Sequence, residues 1–102
     1  MIFPKKSLGQ NFLIDKNIIK KIINLVKINN KDVIEIGPGD GALTGEILKK
    51  NPKSLILIEK DLELTNKLKL KYSKNKNIKI FNADILKLNL EAIQNKNSIV
   101  FG

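Results

Sequence analysis

The chain has 102 residues, a formal net charge of +9, and no cysteine or histidine. Its length suffices for one small domain with a modest core. The lack of both residue types excludes disulfides, metal sites built from thiolates or imidazoles, and nucleophilic sites that use histidine as the base.

The positive charge invites a nucleic-acid partner but does not establish one. All 19 basic residues are lysines, whereas arginine is the residue suited to bidentate contacts with phosphate and guanine. Lysine, asparagine and isoleucine are all abundant, which indicates an A+T-rich genome. The charge therefore supports a nucleic-acid partner only together with other features.

Nothing in the sequence indicates a membrane or an export signal. No apolar run approaches the roughly 20 residues that a membrane-spanning helix needs. The first residues, MIFPKKSLGQNFL, lack the apolar core of a signal peptide. We therefore expect a cytoplasmic protein with no membrane partner.

The first predicted element is a helix over residues 15–28. Asp15 is suited to the N-cap position. Apolar residues recur at helical spacing and form one stripe, which consists of Ile18, Ile19, Ile22, Ile23, Leu25 and Val26. Lysines occupy the other face. Residues 1–14 precede this helix as an arm.

Strands and helices then alternate along the chain. Short apolar runs predict strands at residues 32–36, 55–58, 78–82 and 98–101, and the segments between them predict helices at 42–50 and 62–72. Residues 62–72 also alternate as a strand would, but their length, charge and place between two strands favour a helix. Residues 85–93 are predicted to be a loop with a short helix. This order predicts an α/β fold, doubly wound around a parallel sheet.

Acidic residues lie where the first three predicted strands end, and parallel sheets of this class bind ligands at that edge. The first strand carries Glu35 and runs into a glycine cluster, the second ends at Glu59, and the third is followed by Asp84. We expect these residues to face one crevice.

The stretch GPGDGA, which begins at Gly37, matches the dinucleotide-binding pattern G-x-G-x-x-A. Glu59 follows the glycines by about 20 residues, where an acid would accept hydrogen bonds from ribose hydroxyls. Simpler roles remain open on the residues alone. The glycines can make a tight turn, Glu59 and Asp61 can cap the next helix, and Asp84 can be a turn residue.

Three acids argue against a pyrophosphate at the glycine cluster. Asp40 and Glu35 would place negative charge beside the phosphates, and Asp84 is placed to accept from an exocyclic amine such as adenine N6. S-adenosylmethionine, with its adenosine and cationic amino-acid tail, fits better, because glycine permits close backbone approach and carboxylates offset positive charge. Glu35, inside a buried strand, needs a partner in any case.

Four stretches, KKSLGQNFLID, VIEIGPGDGALT, LIEKD and NADIL in this order, resemble the small-subunit ribosomal RNA adenine-N6,N6-dimethyltransferases, the KsgA family. The resemblance covers nearly the whole chain, and GQNFL separates this family from methyltransferases in general. It implies a class I methyltransferase fold, Rossmann-like, with only its first four strands present. It also implies transfer of two methyl groups from S-adenosylmethionine to N6 of each of two adjacent adenosines in small-subunit rRNA, within a 30S-type particle.

The resemblance also implies the residues that contact the cofactor. Asn11 and Leu13 carry over from the arm, which closes over the cofactor in that family, and Gly37 carries over from the glycine cluster. Glu59 carries over as the ribose ligand and Asp84 as the adenine ligand. No metal is implied. From the residues alone, Leu13 could instead pack against the edge of the sheet.

In the family, an Asn-Leu-Pro-Tyr motif that holds the target adenine follows the fourth strand. That motif is expected just beyond Gly102, so no catalytic residue is predicted here. We expect residues 15–102 to be the N-terminal part of a truncated methyltransferase domain, and residues 1–102 alone to be inactive in methyl transfer. The fourth strand, SIVF, would then be an exposed apolar edge through which the fragment self-associates.

Three alternatives remain open. The large-subunit rRNA adenine methyltransferases of macrolide resistance share the arm and the fold, although GPGDGALT favours the small-subunit enzymes. A nucleic-acid-binding relative without catalysis is the second. A nicotinamide-dependent dehydrogenase is the third, and Asp40, Asp84 and GQNFL argue against it.

Overall fold

The helices and strands follow the predicted order. A computed structural model describes residues 16–88 and 98–102. The elements are α1 (Lys16–Asn24), β1 (Asp32–Ile36), α2 (Ala42–Lys49), β2 (Ser54–Glu59), α3 (Leu62–Lys71), β3 (Ile78–Asn82), a 3-10 turn (Ile85–Lys87) and β4 (Ile99–Phe101). Residues 62–71 thus form a helix rather than a strand, one residue shorter than predicted. Within the described residues, no helix is long and apolar enough to cross a membrane.

All four strands are parallel and lie in the order β3-β2-β1-β4. The fourth strand lies beside the first, with Phe101 opposite Glu35. This arrangement confirms the expected Rossmann-like parallel sheet. The carboxyl ends of β1, β2 and β3 consequently lie side by side at one edge, and their amino ends lie together at the other.

The main core covers one face of the sheet. It combines alternate strand residues with apolar residues from α1, α2 and α3, because alternate side chains of a strand point to the same face. Its buried members are Ile23, Ile28, Val33, Leu43, Ile47, Leu55, Leu57, Leu68 and Phe101. Full burial of one such aliphatic side chain stabilises the fold by about 1.5–3 kcal/mol. Ile34 and Ile58 lie on the opposite face and are also buried.

Helix α1 is shorter than predicted, since it ends at Asn24 rather than at residue 28. The N–H groups of residues 25 and 26 donate to carbonyls three residues earlier, at 3.1 and 3.3 Å, so the chain leaves the helix in a tight turn. Leu25 and Ile18, assigned to the apolar stripe, are 84% and 52% exposed, whereas Ile28 is buried outside the helix. The predicted N-cap, Asp15, lies outside the described residues.

Candidate functional site

A glycine loop, residues 37–41, joins β1 to α2. Gly37, Gly39 and Gly41 have φ angles of 69°, 58° and 90°, a region that costs residues with a side chain roughly 1–2 kcal/mol. Gly37 N donates to the carbonyl of Ile58 at 2.8 Å, and Gly41 N donates to that of Pro38 at 2.9 Å. The tight turn that the glycines suggest is therefore confirmed, and its backbone requires all three.

Two of these glycines also leave room beside the backbone. A Cβ at Gly37 would meet no heavy atom within 4 Å, and a Cβ at Gly39 would meet only the Gly37 carbonyl oxygen, at 4.0 Å. Gly41 differs, because its Cβ would contact three side chains at the end of α3 at 3.6–3.8 Å. A ligand can therefore approach the loop at Gly37 and Gly39, whereas Gly41 packs against side chains at the end of α3.

Glu59, the last residue of β2, ties the glycine loop to the next turn. Its Oε1 accepts from Gly39 N at 3.1 Å, and its Oε2 accepts from Asp61 N at 2.9 Å. A carboxylate offers about four acceptor positions, so about two remain for a ligand. The N-cap of α3 is Asp61, whose carboxylate accepts from Leu64 N at 2.9 Å. The capping alternative therefore applies to Asp61 and not to Glu59.

Two polar side chains that the sequence analysis missed hold the main chain at Glu59. The Thr65 hydroxyl is fully buried and lies 3.1 Å from the Glu59 carbonyl and 2.8 Å from that of Asp61. Asn82 Nδ2 donates to the carbonyls of Glu59 and Lys60, each at 3.1 Å. A threonine one turn after an N-cap aspartate and a polar residue ending an apolar strand are the signals that could have identified them.

Asp84 follows β3 and is the N-cap of the 3-10 turn. Its Oδ1 accepts from Leu86 N at 2.9 Å, and the residue is half-buried. The turn interpretation thus describes its local geometry correctly. Because the bond to Leu86 takes one of about four acceptor positions, the carboxylate retains the capacity to accept from an amine. Its assignment to adenine stays a prediction.

Glu35 is 3% exposed and finds its required partner in Thr44 of α2. Thr44 Oγ1, itself fully buried, donates to Glu35 Oε1 at 2.5 Å. Burial raises the pKa of Glu35 to about 7; the hydrogen bond opposes this shift, and the charges of Glu59 and Asp40 reinforce it. The partner is a neutral hydroxyl, so it does not neutralise the carboxylate. The sequence predicts a partner for Glu35 but does not identify Thr44.

The structure brings the predicted residues Gly37, Glu59 and Asp84 to the same edge of the sheet. Glu59 of β2 lies opposite Asn82 of β3, which places Asp84 beyond the end of the neighbouring strand. The predicted contacts Asn11 and Leu13 lie outside the described residues. Among residues 16–88 and 98–102, no group of three or more acids is arranged to hold a metal ion.

The chemistry of this edge is that of hydrogen-bond acceptors. Asp40, at the start of α2, accepts from Ala42 N at 3.1 Å, so it already occupies one amide of that helix N-terminus. The edge thus offers carboxylates to hydroxyls, amines and positive charge, and would repel a phosphate. It fits an adenosine with a cationic tail better than it fits a dinucleotide.

Comparisons with known proteins point to one family. The family model described as Ribosomal RNA adenine dimethylase matches residues 3–102. Among curated relatives, the Ribosomal RNA small subunit methyltransferase A of Pelagibacter ubique (strain HTCC1062) is 52% identical over 98 residues, which is 96% of this chain. The chain spans 37% of the length of that relative.

Solved structures share the fold. A dimethyladenosine transferase from Plasmodium falciparum matches with a TM-score of 0.68 and 29% identity, over 88% of this chain and 32% of its own. The 23S rRNA methyltransferase ErmE matches with a TM-score of 0.66 and 34% identity, over 78% of this chain and 32% of its own. Since the family model covers nearly every residue, the chain belongs to the ribosomal RNA adenine dimethylase family.

Proposed function

We propose that this chain is the cofactor-binding part of a protein that transfers methyl groups from S-adenosylmethionine to adenine N6 in small-subunit ribosomal RNA. The observation that carries the proposal is the open glycine loop tied to Glu59 through the bond from Gly39 N to Oε1. The name of the Pelagibacter relative supports the small-subunit RNA substrate. A 30S-type particle as the partner belongs to the same proposal.

Different described residues contact different parts of the proposed cofactor. Gly37 and Gly39 leave space beside the backbone for the methionine portion. Glu59 accepts from the ribose hydroxyls with its remaining acceptor positions, and Asp84 accepts from the adenine amine. When bound, S-adenosylmethionine supplies a methyl group activated by its sulfonium charge. The arm of residues 1–14, through Asn11 and Leu13, completes this proposed site.

Charge makes the site selective for the cofactor over its product. Glu35, Asp40 and Glu59 are near enough to one another for the latter two to raise the pKa of the first. A cluster of like charges is relieved by a cation. We therefore expect S-adenosylmethionine, with its sulfonium, to bind more tightly than S-adenosylhomocysteine, whose sulfur is neutral, and NAD, with its pyrophosphate, to bind least.

A second candidate function is methylation of large-subunit RNA, favoured by the likeness to the 23S rRNA methyltransferase ErmE. The identity with that structure is 34%, against 52% with the Pelagibacter small-subunit relative. The small-subunit substrate is therefore the better supported of the two.

The test compares two aspartates that make the same local bond. Asp84 and Asp61 each cap a helical turn through Oδ1, and asparagine caps about as well as aspartate. In Asp84→Asn an amide donor replaces the acceptor that the adenine amine requires. We expect calorimetry to show roughly tenfold weaker binding of S-adenosylhomocysteine, the effect of one hydrogen bond to a charged group.

Asp61→Asn is the matched control and should bind S-adenosylhomocysteine as the parent chain does, with circular dichroism confirming that both variants fold. Equal affinity in the two variants would remove Asp84 from the site. Binding of NAD in preference to both S-adenosyl compounds would contradict the proposed function altogether.

A further inference from the structure

Three loops at the amino end of the sheet have an unusual composition. Residues 29–31, 50–53 and 73–77, which precede β1, β2 and β3, consist only of asparagine, lysine, serine and one proline. Every residue in them is exposed except Pro52. We call them the amino-end loops. They lie at the edge of the sheet opposite the candidate cofactor site.

Main-chain hydrogen bonds join these loops into one surface. Asn30 N donates to the Asn51 carbonyl at 2.9 Å, and Lys53 N donates to that of Lys31 at 2.8 Å. The third loop is attached through Asn77, whose carbonyl accepts from Leu55 N of β2 at 2.9 Å and whose Nδ2 donates to the Pro52 carbonyl at 3.4 Å. The amino-end loops therefore form a connected surface rather than three independent tips.

This surface is positively charged, whereas the opposite edge is acidic. The amino-end loops contribute five lysines and no acid: Lys31, Lys50, Lys53, Lys74 and Lys76. Asp32, the acid that follows Lys31 in sequence, lies in β1 outside these loops and accepts a hydrogen bond from Ser54 Oγ at 2.6 Å. In the described part of the chain, the single ion pair joins Lys49 to Glu46 and involves none of the five. The fold thus separates charge between the two ends of its strands.

Two grooves border the amino-end loops, and each is lined by lysines together with apolar residues. One has a volume of about 330 Å³ and includes Lys27, Lys49 and Lys50 together with asparagines in its lining. The other has a volume of about 210 Å³ and includes Lys53, Lys76 and Lys79. Each groove brings together lysines from different segments of the chain.

We propose that the amino-end loops bind the phosphate backbone of an RNA helix, at a surface separate from the cofactor site. Lysine ammonium groups act as point charges that suit phosphate oxygens. The loops contain no aromatic residue on which an unpaired base could stack. They also contain no large apolar side chain that could enter a lipid surface. These side chains fit contact with a nucleic-acid backbone, independent of base sequence, better than contact with unpaired bases or lipid.

The proposal rests on the proposed function in one respect, that the partner is RNA. The loops extend the contact with RNA beyond the edge where adenine would be methylated. A surface of this kind would fix how the protein sits on a folded RNA without reading its sequence.

The test compares two pairs of exposed lysines with equal charge. Lys53→Gln/Lys76→Gln removes one lysine from each of two amino-end loops, and Lys67→Gln/Lys69→Gln removes two from α3, outside them. Binding of the full chain to a fluorescein-labelled RNA hairpin is measured by anisotropy over a series of salt concentrations. The loop pair should lower the slope of log affinity against log salt by about 1.5, since each phosphate contact contributes about 0.7–0.9. The α3 pair should leave that slope unchanged.

Equal slopes in the two variants would overturn the proposal, because the effect would then be one of total charge. Unchanged RNA binding with lost binding to phosphatidylserine vesicles would assign the surface to lipid and would also overturn it. Titration with S-adenosylhomocysteine separates this question from the proposed function. The loop variant should bind it as the parent chain does, and failure of the parent to bind it would count against the cofactor site alone.

Discussion

At the scale of single residues, Glu35 links the stability of the fold to pH. Its carboxyl lies between β1 and α2 with a neutral hydroxyl as partner, and its pKa is raised from 4.5 to about 7, chiefly by burial. Between these two values the folded chain holds a proton that the unfolded chain has released. The resulting stabilisation is complete below about pH 4.5 and is lost as the pH rises through about 7.

The expected change in the free energy of unfolding across this range is about 3 kcal/mol, from about 1.4 kcal/mol for each unit of pKa shift. Glu35→Gln keeps an acceptor for Thr44 and cannot ionise, so its stability should fall much less as the pH rises. Urea unfolding followed by circular dichroism at a series of pH values measures this. Glu46→Gln, which removes an acid of α2 that pairs with Lys49, is the control and should retain the parent's slope. If Glu35→Gln kept that slope too, the raised pKa would be wrong.

The same group bears on ligand binding. A cation at this edge favours the ionised carboxylate. Binding of S-adenosylmethionine near neutral pH should therefore release a proton from Glu35, which links the folding and cofactor chemistry of one residue.

At the scale of elements, the glycine loop and helix α2 use glycine in opposite ways. Gly37 has a φ of 69°, so Gly37→Ala should destabilise the fold by roughly 1–2 kcal/mol although its Cβ would meet no atom. Gly45 lies inside α2, also with open space around a Cβ, and Gly45→Ala should stabilise by up to about 1 kcal/mol. Thermal unfolding of the two variants measures the difference.

Cofactor binding should distinguish the two glycines as well. The new methyl group in Gly37→Ala enters the space assigned to the ligand, so binding of S-adenosylhomocysteine should weaken, whereas Gly45→Ala should bind normally. If Gly37→Ala were as stable as Gly45→Ala and bound S-adenosylhomocysteine equally well, position 37 would not require glycine and the glycine loop would not contact the ligand.

The same elements show how far sequence reasoning reaches. Strands β1 and β3 have the predicted bounds, because apolar runs between polar or glycine residues are local signals. The predicted end of α1 was wrong. Ile28 joins the core from a turn after the helix, so the apolar spacing continues although the helix has ended. The spacing of apolar residues indicates which residues are buried. It does not determine where a helix ends, because several backbone conformations can bury the same residues.

For the candidate site too, local features were predicted correctly and long-range contacts were missed. Gly37, Glu59 and Asp84 were placed correctly at one edge, because their positions at strand ends are local features. Thr44 and Asn82 were missed, because their bonds to Glu35 and to the Glu59 carbonyl cross 9 and 23 residues of sequence. Such contacts depend on how helices and strands pack, which no short stretch of sequence encodes.

At the scale of the whole molecule, the two outer strands of the described sheet differ. Strand β3 carries the exposed Lys79, and a lysine on an edge strand discourages pairing with another chain. Strand β4 contains only Ile99, Val100 and Phe101, and among the described strands it pairs with β1 alone. Association between copies of the chain should therefore involve β4 rather than β3.

If copies of the chain associate through β4, light scattering of the parent chain should show a mean mass that rises with protein concentration. Val100→Lys places a charge on the half-buried middle residue of β4 and should shift the chain toward monomer, with circular dichroism showing whether the variant still folds. A parent chain that is monodisperse at all concentrations and melts cooperatively would contradict this prediction.

The separation of charge is the second feature at this scale, and under the two proposals each end of the sheet has a different ligand. The acidic carboxyl edge suits a cationic cofactor, and the amino-end loops suit a polyanion. Both assignments depend on the parallel arrangement of the strands, because only that arrangement gathers like ends together.

The most direct test of the central claim is a two-dimensional ¹H–¹⁵N spectrum of the chain titrated with S-adenosylhomocysteine. If the carboxyl edge binds the cofactor, the amides of Gly37, Gly39 and Lys60 and those of Ala83 and Asp84 should shift, while the amide signals of the amino-end loops stay in place. Shifts confined to the amino-end loops, or no saturable shift at the glycine loop, would show that the carboxyl edge is not the cofactor site.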